Sequence, residues 1–317
     1  MVSLRIVYFG TPEFAVPTLD ALLRSHHVVC GVVTQPDRPR GRGRRVTPGP
    51  VKSRAVAHGL TVFQPSTLRT PEAHAAIAAW QPDLGVVAAY GKLIPDDLLA
   101  VPRLGMINVH ASLLPKYRGA APIHRAILAG DPDTGVTIMR VAHDLDAGPV
   151  FATARIPIAD QDTSADVERA LAVAGAALLL DVVNAIEQGT AREVPQDEAR
   201  ATYAPRLTKD EGRVDWSASA QVIHDRIRGL HPWPLACTHL AGERLILLRS
   251  RVLPASDVAI APGTIVDAQA DGLVVAAGDN TRLALLEVQP EGRRAMPIRD
   301  FLAGRTTVRP GAAFDVS

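Results

Sequence analysis

Short apolar runs alternate with helically spaced apolar positions through the first half of the chain. Residues 4–9, LRIVYF, are rich in β-formers and end at Gly10. Residues 14–23 show helical spacing, and 28–34, VVCGVVT, form a second apolar run. Helical patterns at 51–58 and 73–80 precede the run LGVVAA at 84–89, and a fourth short strand pattern covers 106–109. Apolar strands alternating with helices predict a doubly wound, Rossmann-like, mostly parallel sheet with right-handed crossovers. The pattern then predicts a helix over 119–129, strands over 136–141 and 150–158, and one long helix over 163–188. The last two strands lie close in sequence, so this end of the sheet is expected to be antiparallel. Thr163 or Ser164 can cap the long helix and Gly189 can close it.

After Gly189 the character changes. Residues 190–208 are polar, carry Pro195 and Pro205, and read as a linker. A short helix at 222–229 follows. Five β-like runs come next, at 235–240, 244–252, 263–268, 272–277 and 282–288, separated by turn signals. Strands at this spacing predict a small β-barrel of the OB-like kind. The expected division is therefore an α/β domain over 1–189, a linker over 190–208 and a C-terminal domain over 209–317. A length of 317 residues agrees with two domains.

Apolar residues make up 47% of the chain and charged residues 21%, an ordinary globular composition. The formal net charge is +1, so any nucleic-acid binding has to come from a local patch. Residues 36–54 supply one: Arg38, Arg40, Arg42, Arg44, Arg45, Lys52 and Arg54 stand against Asp37 alone. Gly41 and Gly43 give that loop backbone freedom to close on phosphates. Its bland alternative is a solvated connector. Cys30 and Cys237 are isolated, without CxxC or Cys/His spacing, so neither a disulfide framework nor a metal site is expected, and a reducing compartment fits. The start MVSLRIVYFG lacks the features of a signal peptide, and no run of 18 uncharged apolar residues occurs, so no membrane association is expected.

The chemistry concentrates in the run MINVHASLLP, 106–115. Asn108 and His110 sit two residues apart at the carboxyl end of a predicted strand, so both side chains leave the same face. Ligands of open α/β sheets bind beyond such ends. An amide donor beside an imidazole there can hold an oxyanion, or it can simply cap backbone groups. The run HDLDAG, 143–148, adds Asp144 and Asp146 after another strand, and spacing does not choose between the two. If the strand ends are neighbours, Asn, His and Asp converge, a set competent for proton transfer and oxyanion stabilisation. Gly10 begins GTPEF, not a G-x-G-x-x-G, so a dinucleotide fingerprint is absent. Trp80, Trp216 and His124 read as packing residues.

Several runs together carry a resemblance: FGTPEFAVPTLDALL, TQPDRPRGRGRRVTPGPVK, VVAAYGKLIP, INVHASLLPKYRGAAPIHRAI, TGVTIMRVAHDLDAGPV and HPWPLA. In this order, through nearly the whole chain, they resemble the methionyl-tRNA formyltransferases, a branch of the folate-dependent formyltransferase family. One departure is His231, where the family often has Asn; it touches no catalytic position.

The resemblance implies an enzyme that moves a formyl group from 10-formyltetrahydrofolate to the α-amine of methionyl initiator tRNA. It implies a catalytic trio of Asn108, His110 and Asp146. It also implies a folate site from Ser112, Leu113, Leu114 and Pro115 together with Tyr90, Gly91, Leu93 and Asp144. The pterin would lie between the loops 89–94 and 142–146, with Leu93 and Leu114 as walls. Arg38, Arg40, Arg42, Arg44 and Arg45 would meet the tRNA acceptor end, with Arg42 foremost, and the C-terminal domain would bind tRNA. A cytoplasmic monomer without a metal is expected. The trio gives the chemistry but not the acceptor. Three rivals are therefore kept: a sugar-nucleotide formyltransferase, a non-catalytic tRNA-binding module, and an NAD-dependent enzyme, the last disfavoured by the missing glycine fingerprint.

Overall fold

Strand β1 (Arg5–Gly10) takes the first apolar run and lies between two other buried runs, pairing in parallel with β2 (Val28–Val33) and later with a strand from the 84–89 run. The computed structural model describes residues 3–40, 45–255, 258–269 and 271–315. Helix α1 (Val16–Arg24) connects β1 to β2. A hairpin of β3 (Arg38–Arg40) and β4 (Arg45–Thr47) then interrupts the expected loop and leads into α2 (Pro50–Ala57). Next come β5 (Val62–Phe63), α3 (Pro71–Ala78), β6 (Leu84–Ala88), α4 (Asp96–Leu99) and β7 (Met106–His110). After the short β8 (Arg118–Gly119) and α5 (Pro122–Leu128) come β9 (Asp133–Arg140) and β10 (Val150–Pro157). The seven-stranded sheet has the order β10-β9-β7-β6-β1-β2-β5. It is parallel from β7 to β5 and antiparallel at β7–β9 and β9–β10, as the patterning predicts.

Helix α6 (Ser164–Glu187) starts with a reciprocal cap, because Thr163 Oγ1 meets the Asp166 backbone N–H while Asp166 accepts the Thr163 N–H at 3.0 Å. Among the described residues it is the one helix long and apolar enough to cross a membrane by length and composition. Leu171, Leu179 and Val183 on it are fully buried. A Cβ added to Gly175 would meet Val109 and Val136 at 3.0 and 3.2 Å, so a small residue lets α6 approach β7 and β9 closely. The polar stretch that follows, expected as a linker, bridges Val194 to Val150 and ends in β11 (Tyr203–Ala204), which pairs with β8.

Contacts divide the chain into two compact units. The first comprises residues 1–122, 133–157 and 168–204, and the second 123–132, 158–167 and 205–317. Most of α5 thus belongs to the second unit, where Ile127 and Leu128 pack near Gly229. That unit contains α7 (Ala220–Gly229), β12 (Ala236–Leu240), β13 (Glu243–Leu253), β14 (Ile265–Gln269), β15 (Gly272–Ala276), β16 (Arg282–Pro290), β17 (Met296–Pro297) and α8 (Ile298–Leu302). All five expected strands are present, ordered β12-β13-β16-β15-β14 and antiparallel, with β17 added to β16. Trp216 stacks on Phe314 within the core and donates to Thr238 Oγ1 at 3.0 Å, a structural role as expected.

Gly135 on β9 presses against the loop that follows β7: an added Cβ would lie 2.3 Å from the Ala154 carbonyl oxygen and 2.4 Å from Leu113 Cδ2. Gly135→Ala should therefore destabilise the first unit by about 1–3 kcal/mol through overpacking. Urea denaturation checks this, and an unchanged midpoint would contradict the packing described.

Candidate functional site

The site grows from β7. Its carboxyl end lies beside that of β6, with Ala88 opposite Val109, so a crevice opens beyond the parallel strands. Asn108 is half-buried, and among the described residues its amide has no side-chain hydrogen-bond partner. His110 is only 5% exposed. Its Nε2 lies 3.0 Å from the Tyr117 carbonyl oxygen, and its Nδ1 lies 3.6 Å from Asp146 Oδ2. Both ring nitrogens face acceptors, and a neutral imidazole has one N–H to give.

Asp146 is the carboxylate that reaches the histidine. Asp144 is exposed and does not. The choice that spacing left open is therefore made by geometry: Asn108, His110 and Asp146 are brought together. They do not meet by the route the sequence suggested. Strand β9 is antiparallel to β7, with Ile107 opposite Arg140 and His110 opposite Thr137. The carboxyl end of β9 thus points away from the crevice. The connection 141–149 has to fold back along β7, and Asp146 takes a left-handed φ of 51° within it. The Gly119 N–H donates to Asp146 Oδ2 at 2.9 Å. Gln196 Nε2 donates to the carbonyls of Asp146 and Gly148 at 2.8 and 2.7 Å. Sequence reasoning missed Gln196 and its partner Arg118. Nothing periodic marks a polar side chain that binds backbone.

The other expected folate residues lie on the loops after β6 and β7 and on the connection 141–149. Ser112 is fully buried and donates to the Lys116 carbonyl at 2.6 Å, while its own carbonyl accepts from Thr137 Oγ1 at 2.7 Å. Its hydroxyl thus closes the 112–116 turn. Thr137 Oγ1 also receives the Leu114 N–H at 3.2 Å, and the Pro115 carbonyl accepts from Thr202 N. Leu113 packs on Gly135. The Tyr90 ring meets Phe9 edge-on, and burial pushes its phenol up to about 12. Gln35 Nε2 donates to the Tyr90 carbonyl at 2.9 Å beside Gly91. Leu93 is 70% exposed, a large apolar side chain turned to the surface. His143 contacts Asp96 at 2.8 Å, which ties the 141–149 connection to α4 and holds the imidazole above its usual range.

The basic loop is reorganised by structure. Lys52 pairs with Asp37, Gln64 Nε2 also donates to Asp37 at 2.9 Å, and the two together hold that carboxyl below its usual range. Arg54 pairs with Asp20 at 3.1 Å. Two of the seven cations, Lys52 and Arg54, are therefore already matched. Arg38 is exposed, and Arg40 lies opposite Arg45 in the ladder. Arg42 and Arg44 lie outside the described residues. On the second unit Arg249 and Arg251 are exposed on one face of β13, a pair that the sequence reading did not single out.

One further group of potential metal ligands, His26, His27 and Glu187, has ligand atoms within 4.8 Å of one another. It lies by the amino-terminal ends of β1 and β2, remote from His110. His27 is already used, with Nδ1 3.3 Å from the Leu4 N–H and Nε2 3.1 Å from Asn184.

An amide donor, a buried imidazole and a carboxylate at the end of a mostly parallel sheet form a candidate group-transfer site, a set able to hold an oxyanion and handle a proton. A formyl transferase family model matches residues 4–183, and a formyl transferase C-terminal domain model matches 206–306. The chain belongs to the formyl transferase family. The methionyl-tRNA formyltransferase of Methylococcus capsulatus is 49% identical over 300 residues, covering 94% of this chain and 96% of that protein. That of Bacillus subtilis is 44% identical over 300 residues, covering 95% and 94%. Among solved structures, the sugar 3N-formyl transferase WlaRD aligns with a TM-score of 0.67 at 14% identity, over 93% of this chain and 100% of that one. HypX from Aquifex aeolicus in complex with tetrahydrofolic acid aligns at 0.64 and 16%, over 95% of this chain and 47% of that one. At those identities the structural likeness is one of fold.

Proposed function

We propose that this chain transfers the formyl group of 10-formyltetrahydrofolate to the α-amine of methionyl initiator tRNA. The convergence of Asn108, His110 and Asp146 carries the chemistry. The acceptor is supported by 43–49% identity to methionyl-tRNA formyltransferases through both domains, against 14–19% to the sugar formyltransferases of similar fold. Arg38, Arg40, Arg42, Arg44 and Arg45 on the hairpin serve the acceptor end, and the C-terminal domain, read as OB-like, holds the tRNA body with Arg249 and Arg251. The folate lies between 89–94 and 142–146, walled by Leu93 and Leu114. Tyr90, Gly91, Asp144 and the 112–115 turn frame it, the turn by its backbone rather than by the Ser112 hydroxyl. The protein works as a cytoplasmic monomer without a metal.

An α-amine has an ordinary pKa near 8, so roughly a tenth is free base at neutral pH, and the neighbouring ester raises that share by lowering the pKa. Its lone pair attacks the formyl carbon on N10. The new C–N bond forms as the carbonyl pair moves to oxygen, and Asn108 supplies the free donor for that oxyanion. His110 joins it once one of its two ring contacts is exchanged, since catalytic hydrogen bonds often tighten only with substrate bound. The amine proton leaves by way of His110, Asp146 and water. N10 takes a proton as its bond to carbon breaks, which releases tetrahydrofolate and formylmethionyl-tRNA.

The reading is tested with purified protein, labelled 10-formyltetrahydrofolate, and either charged initiator tRNA or a sugar-nucleotide amine as acceptor. Label on the sugar and none on the tRNA would overturn it. Asn108→Ala should lose one oxyanion donor, about 2.7–4 kcal/mol or roughly 100–1,000-fold in turnover, with folate binding retained; full turnover would remove Asn108 from the oxyanion site. Arg42→Ala should raise the KM for tRNA and lower the salt slope of tRNA binding by about one unit, leaving the folate KM unchanged. Unaltered tRNA kinetics at two salt concentrations would return the hairpin to a solvated connector.

A further inference from the structure

The fold-back connection that carries Asp146 needs an anchor of its own. Register sends β9 away from the crevice, so the chain must return by about three strand residues, roughly 10 Å, before Asp146 can face His110. It does so with a non-glycine residue in the left-handed region, a conformation that persists only where surroundings hold it. The N–H of Gly119 holds the carboxylate. The backbone of the turn is held by Gln196, which gives its amide N–H groups to both the Asp146 and the Gly148 carbonyls.

The orientation of that amide is fixed chemically. Gln196 Oε1 accepts from Arg118 Nη2 at 2.8 Å and from Nε at 3.2 Å. A guanidinium only donates, so the oxygen must face it and the NH2 must face the two carbonyls. Arg118 is 2% exposed and is held from its other side by Glu198, at 2.7 and 2.9 Å. The adjoining bridge between Val150 and Val194 sets Gln196 beside the turn.

We propose that Gln196 is a positioning residue for formyl transfer: oriented by buried Arg118, it pins the turn that carries Asp146 over His110. The proposal rests on the formyl-transfer reading and names the group that keeps its site assembled. It acts through Asp146 and touches no reacting atom.

Two variants separate positioning from folding. Gln196→Ala removes the contact. Gln196→Glu keeps an acceptor for Arg118 and replaces the two donors by an oxygen that repels both carbonyls. In both, kcat should fall roughly tenfold to hundredfold, as small misplacements of catalytic groups do. The KM for each substrate should stay within about twofold, while the Gly119 amide exchanges faster with solvent and the His110 ring nitrogen resonances shift. An unchanged kcat in Gln196→Glu overturns the proposal, as does a lowered melting temperature with normal kcat per folded molecule. If the wild-type protein forms no formylmethionyl-tRNA, the formyl-transfer reading fails separately. Gly119 exchange and the His110 resonances then decide positioning alone: faster exchange supports it, and unaltered exchange overturns it.

Discussion

The approach of Asp146 to His110, 3.6 Å between Oδ2 and Nδ1, is the constraint on which the site depends. A buried imidazole between two acceptor oxygens is of use only if both are fixed, since a shift in either changes which nitrogen carries the proton. One acceptor, the Tyr117 carbonyl, comes from the turn just after β7. The other arrives against the direction of its own strand. Four separate stretches therefore serve one contact: β7 supplies the ring, 117–119 the carbonyl and an amide, 141–149 the carboxylate, and 194–198 the clamp. The stretch after α6 is in this respect part of the same compact unit as the candidate site.

Electrostatics follows the same economy. The chain is nearly neutral overall, so a polyanion has to be met locally. Ion pairs of Lys52 with Asp37 and of Arg54 with Asp20 tie α2 to the stretch before β3 and to α1. The matched pairs work as structure, although composition alone makes all seven cations look alike.

The sheet strands were legible because buried parallel strands appear as unbroken apolar runs, and residues 28–34 and 84–89 are such runs. The antiparallel end was legible from the short connection between 136–141 and 150–158. Asn108 and His110 were legible by their period of two at a strand end. Three features were not. The β3–β4 hairpin reads RPR and RVT, too little apolar alternation to reveal it. Strands β8 and β11 have two residues each, too few for any period. The stretch 190–204 reads as linker because its work is done by polar side chains on backbone carbonyls, and such contacts leave no repeat in sequence. Asp146 over Asp144 was implied by resemblance, while the route by which Asp146 arrives required the strand register.

The measurement that bears most directly on this account is a double-mutant cycle in single-turnover formyl transfer, using His110→Ala, Asp146→Ala and the pair. Residues that act as a unit lose their effects non-additively. If Asp146 works through the ring of His110, the double variant will be no more than about threefold slower than the slower single variant. Losses that multiply would mean that the carboxylate and the imidazole serve the reaction independently, and the assembly around their contact would have another purpose.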